Sequence, residues 1–393
     1  MKKSAPTEHR GNRPIAHLGD LDAGKFLREY WQKKPLLIRQ AFPNFTDPLD
    51  KKSVLALAAR EDAESRLIAN AQGKWQLTHG PLSRRDFTSA KNALWTVLVQ
   101  DTQHFSRAAH DVLAAFNFIP SARIDDLMVS YAVPGAGVGA HFDSYDVFLL
   151  QGMGRRRWRI SAQEDLRLKA GLPLKVLSHF KHDQEYILES GDMLYLPPGY
   201  AHEGVAETES LTWSIGFLAP SRQDLAMALL DYLRDEIVVD GVYRDPDLLP
   251  TTHPGEIGVP MLASLTRMLT DVQDATRNAD HIRRCLGRLL TDPKPHVFFD
   301  RPEPALDLAA FRRAALINGV EIDLKSRFLY HQEMFFLNGA VFDATPFDAM
   351  YLRQLADTRK LPPVILAHVS DKSLFVALFR AYSEGFLQIA PPA

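Results

Sequence analysis

His141 and Asp143 lie one residue apart in the stretch "GAHFDSYDVFLLQGMGRRRWRI" (139–160), and both are metal-ligating residue types. Side chains alternate along extended backbone, so residues i and i+2 project to one side. Read as the start of an apolar strand, the stretch points both groups the same way. A third ligand has to come from elsewhere in the sheet. His202 supplies it, in "LPPGYAHEGVA", just after a Pro-Pro-Gly turn. Two imidazoles and one carboxylate form the facial triad of non-haem Fe(II) oxygenases, which keeps coordination positions open for other ligands. Zinc also takes such ligands, in tetrahedral geometry, and sequence shows no geometry, so the choice of metal rests on neighbouring groups.

The arginine-rich run that follows, "RRRWRI" (155–160), sorts by the same period of two. Arg156, Trp158 and Ile160 share one face; Arg155, Arg157 and Arg159 share the other and are expected to be solvated or to meet an anionic partner. A guanidinium beside a tryptophan and an isoleucine is costly to bury unless it is paired. A carboxylate held bidentately pairs it well. Oxygenases with a facial triad commonly draw electrons from 2-oxoglutarate, whose far carboxylate needs a cation, so Arg156 is the candidate for that cosubstrate. An internal ion pair to Asp or Glu is the competing reading. "PGAGVGAH" (134–141) is glycine-rich, but no helical pattern follows it, so it reads as tight turns rather than a dinucleotide fingerprint.

These residues need a scaffold. From about 125 to 217 the texture is strand-like: "DLMVSYAV", "DVFLLQG", "RRRWRI", "EYILESG", "DMLYLPPG" and "ESLTWSIGFLA", separated by Gly- and Pro-rich turns, the pattern of a sandwich or barrel. Before it, residues 22–32 carry a helical stripe capped by Asp22, "KPLLIRQAFP" reads as a short strand, and helical stretches fall near 51–60 and 106–116. After Pro220, "SRQDLAMALLDYLRDEIV" opens with a capping-box pattern, Ser221 and Asp224, and keeps Leu225, Leu229, Leu230, Leu233 and Ile237 at helical spacing. A second helical region spans about 259–290, a Pro-rich linker spans 291–307, and the tail has the texture of a small winged-helix module.

Composition sets outer bounds. The 393-residue chain has 46 Lys+Arg against 48 Asp+Glu and a net charge of −2, so no global basic field points to nucleic acid or membrane. Cys285 is the single cysteine, which excludes an intrachain disulfide and a thiolate cluster and fits a reducing cytoplasm. The N-terminus is basic without an apolar core and reads as a frayed tail, not a signal peptide. No apolar run approaches membrane-spanning length.

Taken together, "YWQKKPLLIRQAFP", "DDLMVSYAVPGAGVGAHFDSYDVFLLQGMGRRRWRI", "GDMLYLPPGYAHEG", "TWSIGFLAP" and "YRDPDLLPTTHP" resemble the JmjC-type ribosomal oxygenases. The resemblance is strongest to the bacterial branch that hydroxylates an arginine of large-subunit ribosomal protein sixteen, and it covers most of residues 15–255. It implies an α+β fold: a double-stranded β-helix (cupin/JmjC) domain over 1–220, a helical dimerisation region over 221–306 and a winged-helix-like domain over 307–393. It implies iron at His141, Asp143 and His202, 2-oxoglutarate on Arg156, O2 as oxidant, a ribosomal protein substrate and a homodimer. Substrate contacts carry over to Asp126, Met128, Tyr145 and Ser214. Asp126 suits a guanidinium, and Met128 and Tyr145 suit its flat faces, though core packing is an equal reading for those two. Ser130, Tyr131 and Thr212 are candidates for a hydroxyl partner of the cosubstrate, and Ala132 stands where relatives can carry serine. Rival readings are the same chemistry on histidine, lysine or a small molecule, a zinc isomerase-like cupin, and a non-catalytic metal-binding scaffold. Residues 321–393 hold seven Lys+Arg and eight Asp+Glu, so the tail lacks the basic face of a DNA reader and is expected to contact protein or serve structure.

Overall fold

The computed structural model describes residues 18–391 except 237, 239, 277, 370 and 371; the expected N-terminal tail lies outside them. The chain divides into two compact units, residues up to 219 with Pro295–Phe298, and Pro220–Lys294 with the residues from Phe299 onward.

The first unit runs α1 (Ala23–Glu29), β1 (Leu36–Ile38), α2 (Lys51–Ala58), β2 (Ser65–Ala71), β3 (Lys74–His79), α3 (Arg84–Ser89), β4 (Leu94–Val99), α4 (Arg107–Ala114), β5 (Ile124–Ala132), β6 (Val147–Gln151), β7 (Arg156–Ser161), β8 (Gln184–Leu188), β9 (Met193–Leu196), β10 (Ala201–Ala206) and β11 (Ser210–Phe217). Asp22, Asp50 and Ser106 cap α1, α2 and α4 by accepting from the backbone amides of Lys25, Ser53 and Ala109. Each such cap contributes about 1 kcal/mol. An antiparallel sheet takes the order β1-β9-β6-β11-β5-β4-β2-β3, and a smaller one takes β10-β7-β8.

Alternation along the strands divides their side chains between two layers. On the outer face of the large sheet, Val97, Val129, Tyr131, Phe148, Tyr195 and Trp213 pack with Phe26, Val54 and Phe116 of the helical layer. Between the sheets, Val147, Leu149, Leu194 and Leu196 meet Trp158, Ile160 and Leu188 of the small sheet. Full burial of such a side chain is worth roughly 1.5–3 kcal/mol. The face opposite the helical layer therefore looks into the barrel. The β2–β3 hairpin, which widens the large sheet, was not among the expected strands. Its two-residue turn has both Gln72 (φ 52°) and Gly73 (φ 88°) in the left-handed region, and Gln is a weak signal for a turn usually made by Asn-Gly.

The second unit contains α5 (Arg222–Glu236), α6 (Val259–Thr276), α7 (Ala279–Thr291), α8 (Leu308–Asn318), β12 (Val320–Ile322), β13 (Phe328–His331), β14 (Met334–Leu337), β15 (Ala340–Phe342), α9 (Ala349–Thr358), β16 (Lys360–Leu361), α10 (Pro363–Leu366), α11 (Lys372–Ser383) and β17 (Leu387–Ile389). The capping box of α5 forms as expected: Asp224 accepts from the Ser221 amide at 2.8 Å, and Ser221 Oγ accepts from the Asp224 amide at 3.1 Å. The helical region expected over 259–290 is two helices, because Asn278 caps α7 by accepting from the Asp280 amide at 2.9 Å. Small sheets β16-β12-β17 and β13-β14-β15 pack with α8, α9 and α11 around Phe311, Leu352, Leu374 and Leu378. Among the described residues no helix is long and apolar enough to cross a membrane.

Candidate metal centre

His141, Asp143 and His202 come together, with one potential ligand atom from each inside a span of 4.8 Å. His141 and Asp143 precede β6 rather than opening it. His141 forms an isolated antiparallel bridge with His202 of β10, and Asp143 lies on irregular chain. Local backbone bonds replace the expected strand: the Gly199 amide donates to the Asp143 carbonyl at 2.7 Å. Gly139, at φ 83°, aims the chain into the bridge.

The two imidazoles are set alike. His141 Nδ1 lies 2.9 Å from the Gly139 carbonyl and His202 Nδ1 lies 2.9 Å from the Tyr200 carbonyl. A carbonyl only accepts, so Nδ1 carries the hydrogen in each ring and Nε2 is left with the lone pair. His202 Nε2 is 3.7 Å from Asp143 Oδ2. Burial, and then the neighbouring His141, push the His202 pKa down to about 4, so this ring is neutral near pH 7, as a ligand must be.

Arg156 faces inward with Trp158, as the alternation requires. Its side chain is buried, with Nη1 3.4 Å from Ser130 Oγ, while Nε and Nη2 are buried without a hydrogen-bond partner. No carboxylate among the described residues pairs with it, which removes the internal ion pair. Burial lowers its pKa to about 10, which still leaves it charged at neutral pH. The indole of Trp158 lies between the two parts of the site, its ring 5.9 Å from that of His202 and 5.7 Å from Arg156 Cζ. Two of the outward arginines are already occupied, Arg157 by Glu185 and Glu207 and Arg159 by Glu185 and Glu203, while Arg155 is exposed. Of the hydroxyl candidates, Ser130 faces Arg156. Thr212 Oγ1 donates to Gln151 Oε1 at 3.3 Å. Tyr131 belongs to the outer core, its ring beneath Lys51 Nζ, and so faces away from the barrel interior.

Asp126 and Met128 share a face of β5, and cross-strand pairing sets Ser214 beside Met128 and Gly216 beside Asp126. Tyr145 closes this group: a Cβ built on Gly216 would stand 2.9 Å from Asp126 Oδ1 and 3.5 Å from Tyr145 Cε2. Burial, and then Asp143, Asp126 and Asp125, raise the Tyr145 pKa, so it stays a neutral hydroxyl. Beside it, fully buried Asp146 accepts from Tyr195 Oη at 2.6 Å and from Gln32 Nε2 at 2.9 Å. Sequence pattern singled out neither Gly216 nor Asp146. Cross-strand register carries the first, and a contact more than a hundred residues apart carries the second.

A JmjC domain model matches residues 111–225, and a ROXA-like winged helix model matches residues 269–388. The chain is 36% identical to the ribosomal protein uL16 3-hydroxylase of Escherichia coli (strain K12) over 71% of its own length and 74% of that protein. The X-ray structure of E. coli ycfD superposes with a TM-score of 0.81 at 31% identity, covering 94% of this chain and 98% of that one. A second structure of YcfD, described as a ribosomal oxygenase from E. coli in complex with cobalt and 2-oxoglutarate, gives 0.79 at the same identity and coverage. With its JmjC barrel and winged helix, this chain belongs to the ribosomal oxygenase family of JmjC enzymes.

Proposed function

We propose that the chain is an Fe(II)- and 2-oxoglutarate-dependent hydroxylase that acts at C3 of an arginine in large-subunit ribosomal protein uL16. The observation that carries this reading is the buried guanidinium of Arg156, unpaired by any described carboxylate, in the same barrel interior as the triad. A non-catalytic scaffold has no use for such a cation; a dicarboxylate cosubstrate does. The name of the E. coli relative and the cobalt and 2-oxoglutarate complex of YcfD support it further.

The donor set fits iron: two imidazole nitrogens and a carboxylate oxygen, within 4.8 Å of one another. When bound, iron with 2-oxoglutarate and O2 supplies the oxidising power; succinate and CO2 form and one oxygen atom enters the substrate C–H bond. The chain's own residues do the positioning. His141, Asp143 and His202 hold the metal, and Arg156 holds the far carboxylate of 2-oxoglutarate. Asp126 pairs the substrate guanidinium, with Met128 and Tyr145 against its faces and Ser214 alongside. A carboxylate at this point favours a permanently charged arginine over a neutral histidine.

The test is incubation of the protein with uL16, Fe(II) and 2-oxoglutarate, followed by peptide mapping. Addition of one oxygen to a single arginine is the expected result. Turnover of 2-oxoglutarate with the oxygen placed on another residue type would replace the substrate assignment.

The three-part division at 220 and 306 and the homodimer belong to the same proposal. On α5 and α6, Leu225, Leu230, Leu262 and Leu269 are all exposed in the single chain, and a second copy covers them. Light scattering is expected to give twice the chain mass. The winged-helix unit serves protein contact rather than DNA, in keeping with the lack of a basic excess over residues 321–393.

A further inference from the structure

Ala132 ends β5 on the face that looks into the barrel. Its two cross-strand partners are Thr96 on β4 and Ser210 on β11. Paired residues of antiparallel strands project to the same side, so both hydroxyls flank the Ala132 methyl, each one strand away, about 4.8 Å. All three residues are fully buried. Neither Thr96 Oγ1 nor Ser210 Oγ has a hydrogen-bond partner. Buried hydroxyls are ordinarily bonded, and an unmatched pair on either side of a small residue is the outline of a missing acceptor.

The position of this pair relates it to Arg156. Ala132 packs against Ala206, and Ala206 is the cross-strand partner of Arg156 on the facing sheet. Ser130, two residues along the same face of β5, is within 3.4 Å of Arg156 Nη1. The unpartnered Nε and Nη2 of Arg156 and the two unpartnered hydroxyls thus gather at one end of the barrel interior. A larger side chain at 132 would occupy the floor between them.

We propose that Thr96 and Ser210 donate hydrogen bonds to the far carboxylate of the cosubstrate, across Ala132 and opposite Arg156. The inference rests on the reading of Arg156 given above and adds two residues to it. In this chain the hydroxyls come from the neighbouring strands, and the β5 position between them is an alanine. Arg156 neutralises the carboxylate; Thr96 and Ser210 fix its orientation, and with it the angle at which the keto acid reaches His141, Asp143 and His202.

The experiment is a calorimetric titration of the full chain loaded with Co(II), with two ligands. One is 2-oxoglutarate. The other is 2-oxopentanoate, which keeps the keto acid and the five-carbon chain but lacks the far carboxylate. Thr96→Val and Ser210→Ala are each expected to weaken 2-oxoglutarate binding about tenfold, the scale of a hydrogen bond to a charged group, and to leave 2-oxopentanoate binding unchanged. Thr96→Ser, which keeps the hydroxyl, is expected to retain wild-type preference between the two acids. Unchanged 2-oxoglutarate affinity in the Thr96→Val/Ser210→Ala double variant would overturn the inference, as would an equal loss for both acids. Arg156→Ala separates the two levels. If it leaves the preference for the dicarboxylate intact, the reading of Arg156 itself fails. If it abolishes the preference while the double variant does not alter it, only the role of the two hydroxyls fails.

Discussion

His141 and His202 face each other across a reciprocal backbone bridge: each amide donates to the other's carbonyl, at 2.9 and 2.8 Å, and the rings stand 4.2 Å apart. Main chain therefore sets the separation of the imidazoles, and their side chains are free to bind metal. His141→Ala is expected to keep the fold, since the bridge needs no imidazole, and to lose more than about a hundredfold in Co(II) affinity, beyond the usual effect of losing an outer hydrogen-bond partner. Circular dichroism and metal titration check the two halves. Wild-type metal affinity in this variant would remove His141 from the centre.

Gly204 on β10 sits directly under the Trp158 indole. A Cβ there would approach the ring to 2.7 Å. The indole cannot retreat without moving toward His202 or Arg156, which it lies between. Gly204→Ala is expected to destabilise the protein by about 1–3 kcal/mol, the cost of overpacking, and to weaken 2-oxoglutarate binding. Adding Trp158→Phe to that variant restores room, so urea denaturation of the two single variants and the double is expected to show a coupling that favours the double. Strict additivity would place the indole elsewhere.

Much of this site was legible because extended backbone alternates. That rule alone put His141 with Asp143 and separated Arg156 from Arg157 and Arg159. The rule acted even where regular strand was wrongly expected, since an isolated bridge preserves the same spacing. The strand that carries His202 was less legible: "AHEGVA" is short, polar and interrupted by the glycine that admits Trp158. Thr96 and Ser210 were beyond reach for a different reason. Each is an ordinary hydroxyl residue in its own strand, and only the register of β4 and β11 against β5 puts them on either side of Ala132. Register is a property of pairing, and one strand read alone does not contain it.

Asp146 ties the chain just after Tyr145 into the core. It is fully buried and binds Tyr195 Oη and Gln32 Nε2, with Arg123 at 3.4 Å. Asp146→Ala would leave the buried Tyr195 hydroxyl without its acceptor and the half-buried Arg123 without its carboxylate, while the exposed Gln32 amide can turn to water; the expected cost is about 2–3 kcal/mol in urea denaturation. Tyr195→Phe removes two bonds, the one to Asp146 and the one its Oη accepts from the Gln32 amide at 2.7 Å, but leaves the carboxylate in place and is expected to cost nearer 1 kcal/mol. Equal costs for the two would mean that the carboxylate contributes nothing beyond the tyrosine.

Gly216 tests the substrate end. Its missing side chain lets Asp126 Oδ1 and the Tyr145 ring approach the backbone closely, and a methyl there would stand 2.9 Å from that oxygen and 3.5 Å from Tyr145 Cε2. If a guanidinium lies against Asp126 and the Tyr145 ring, Gly216→Ala narrows its seat while leaving the metal ligands and Arg156 untouched. The KM for a uL16 peptide is then expected to rise about tenfold, the size of one lost charged hydrogen bond, with 2-oxoglutarate affinity unchanged. A matching fall in 2-oxoglutarate affinity would mean that the methyl disturbs the barrel interior at large. An unchanged KM would mean that the arginine enters by another face, and Met128 and Tyr145 would then be core residues. Asp126→Asn separates shape from charge: it keeps the volume but loses the ion pair, so it is expected to weaken arginine peptides far more than a peptide carrying the uncharged isostere citrulline.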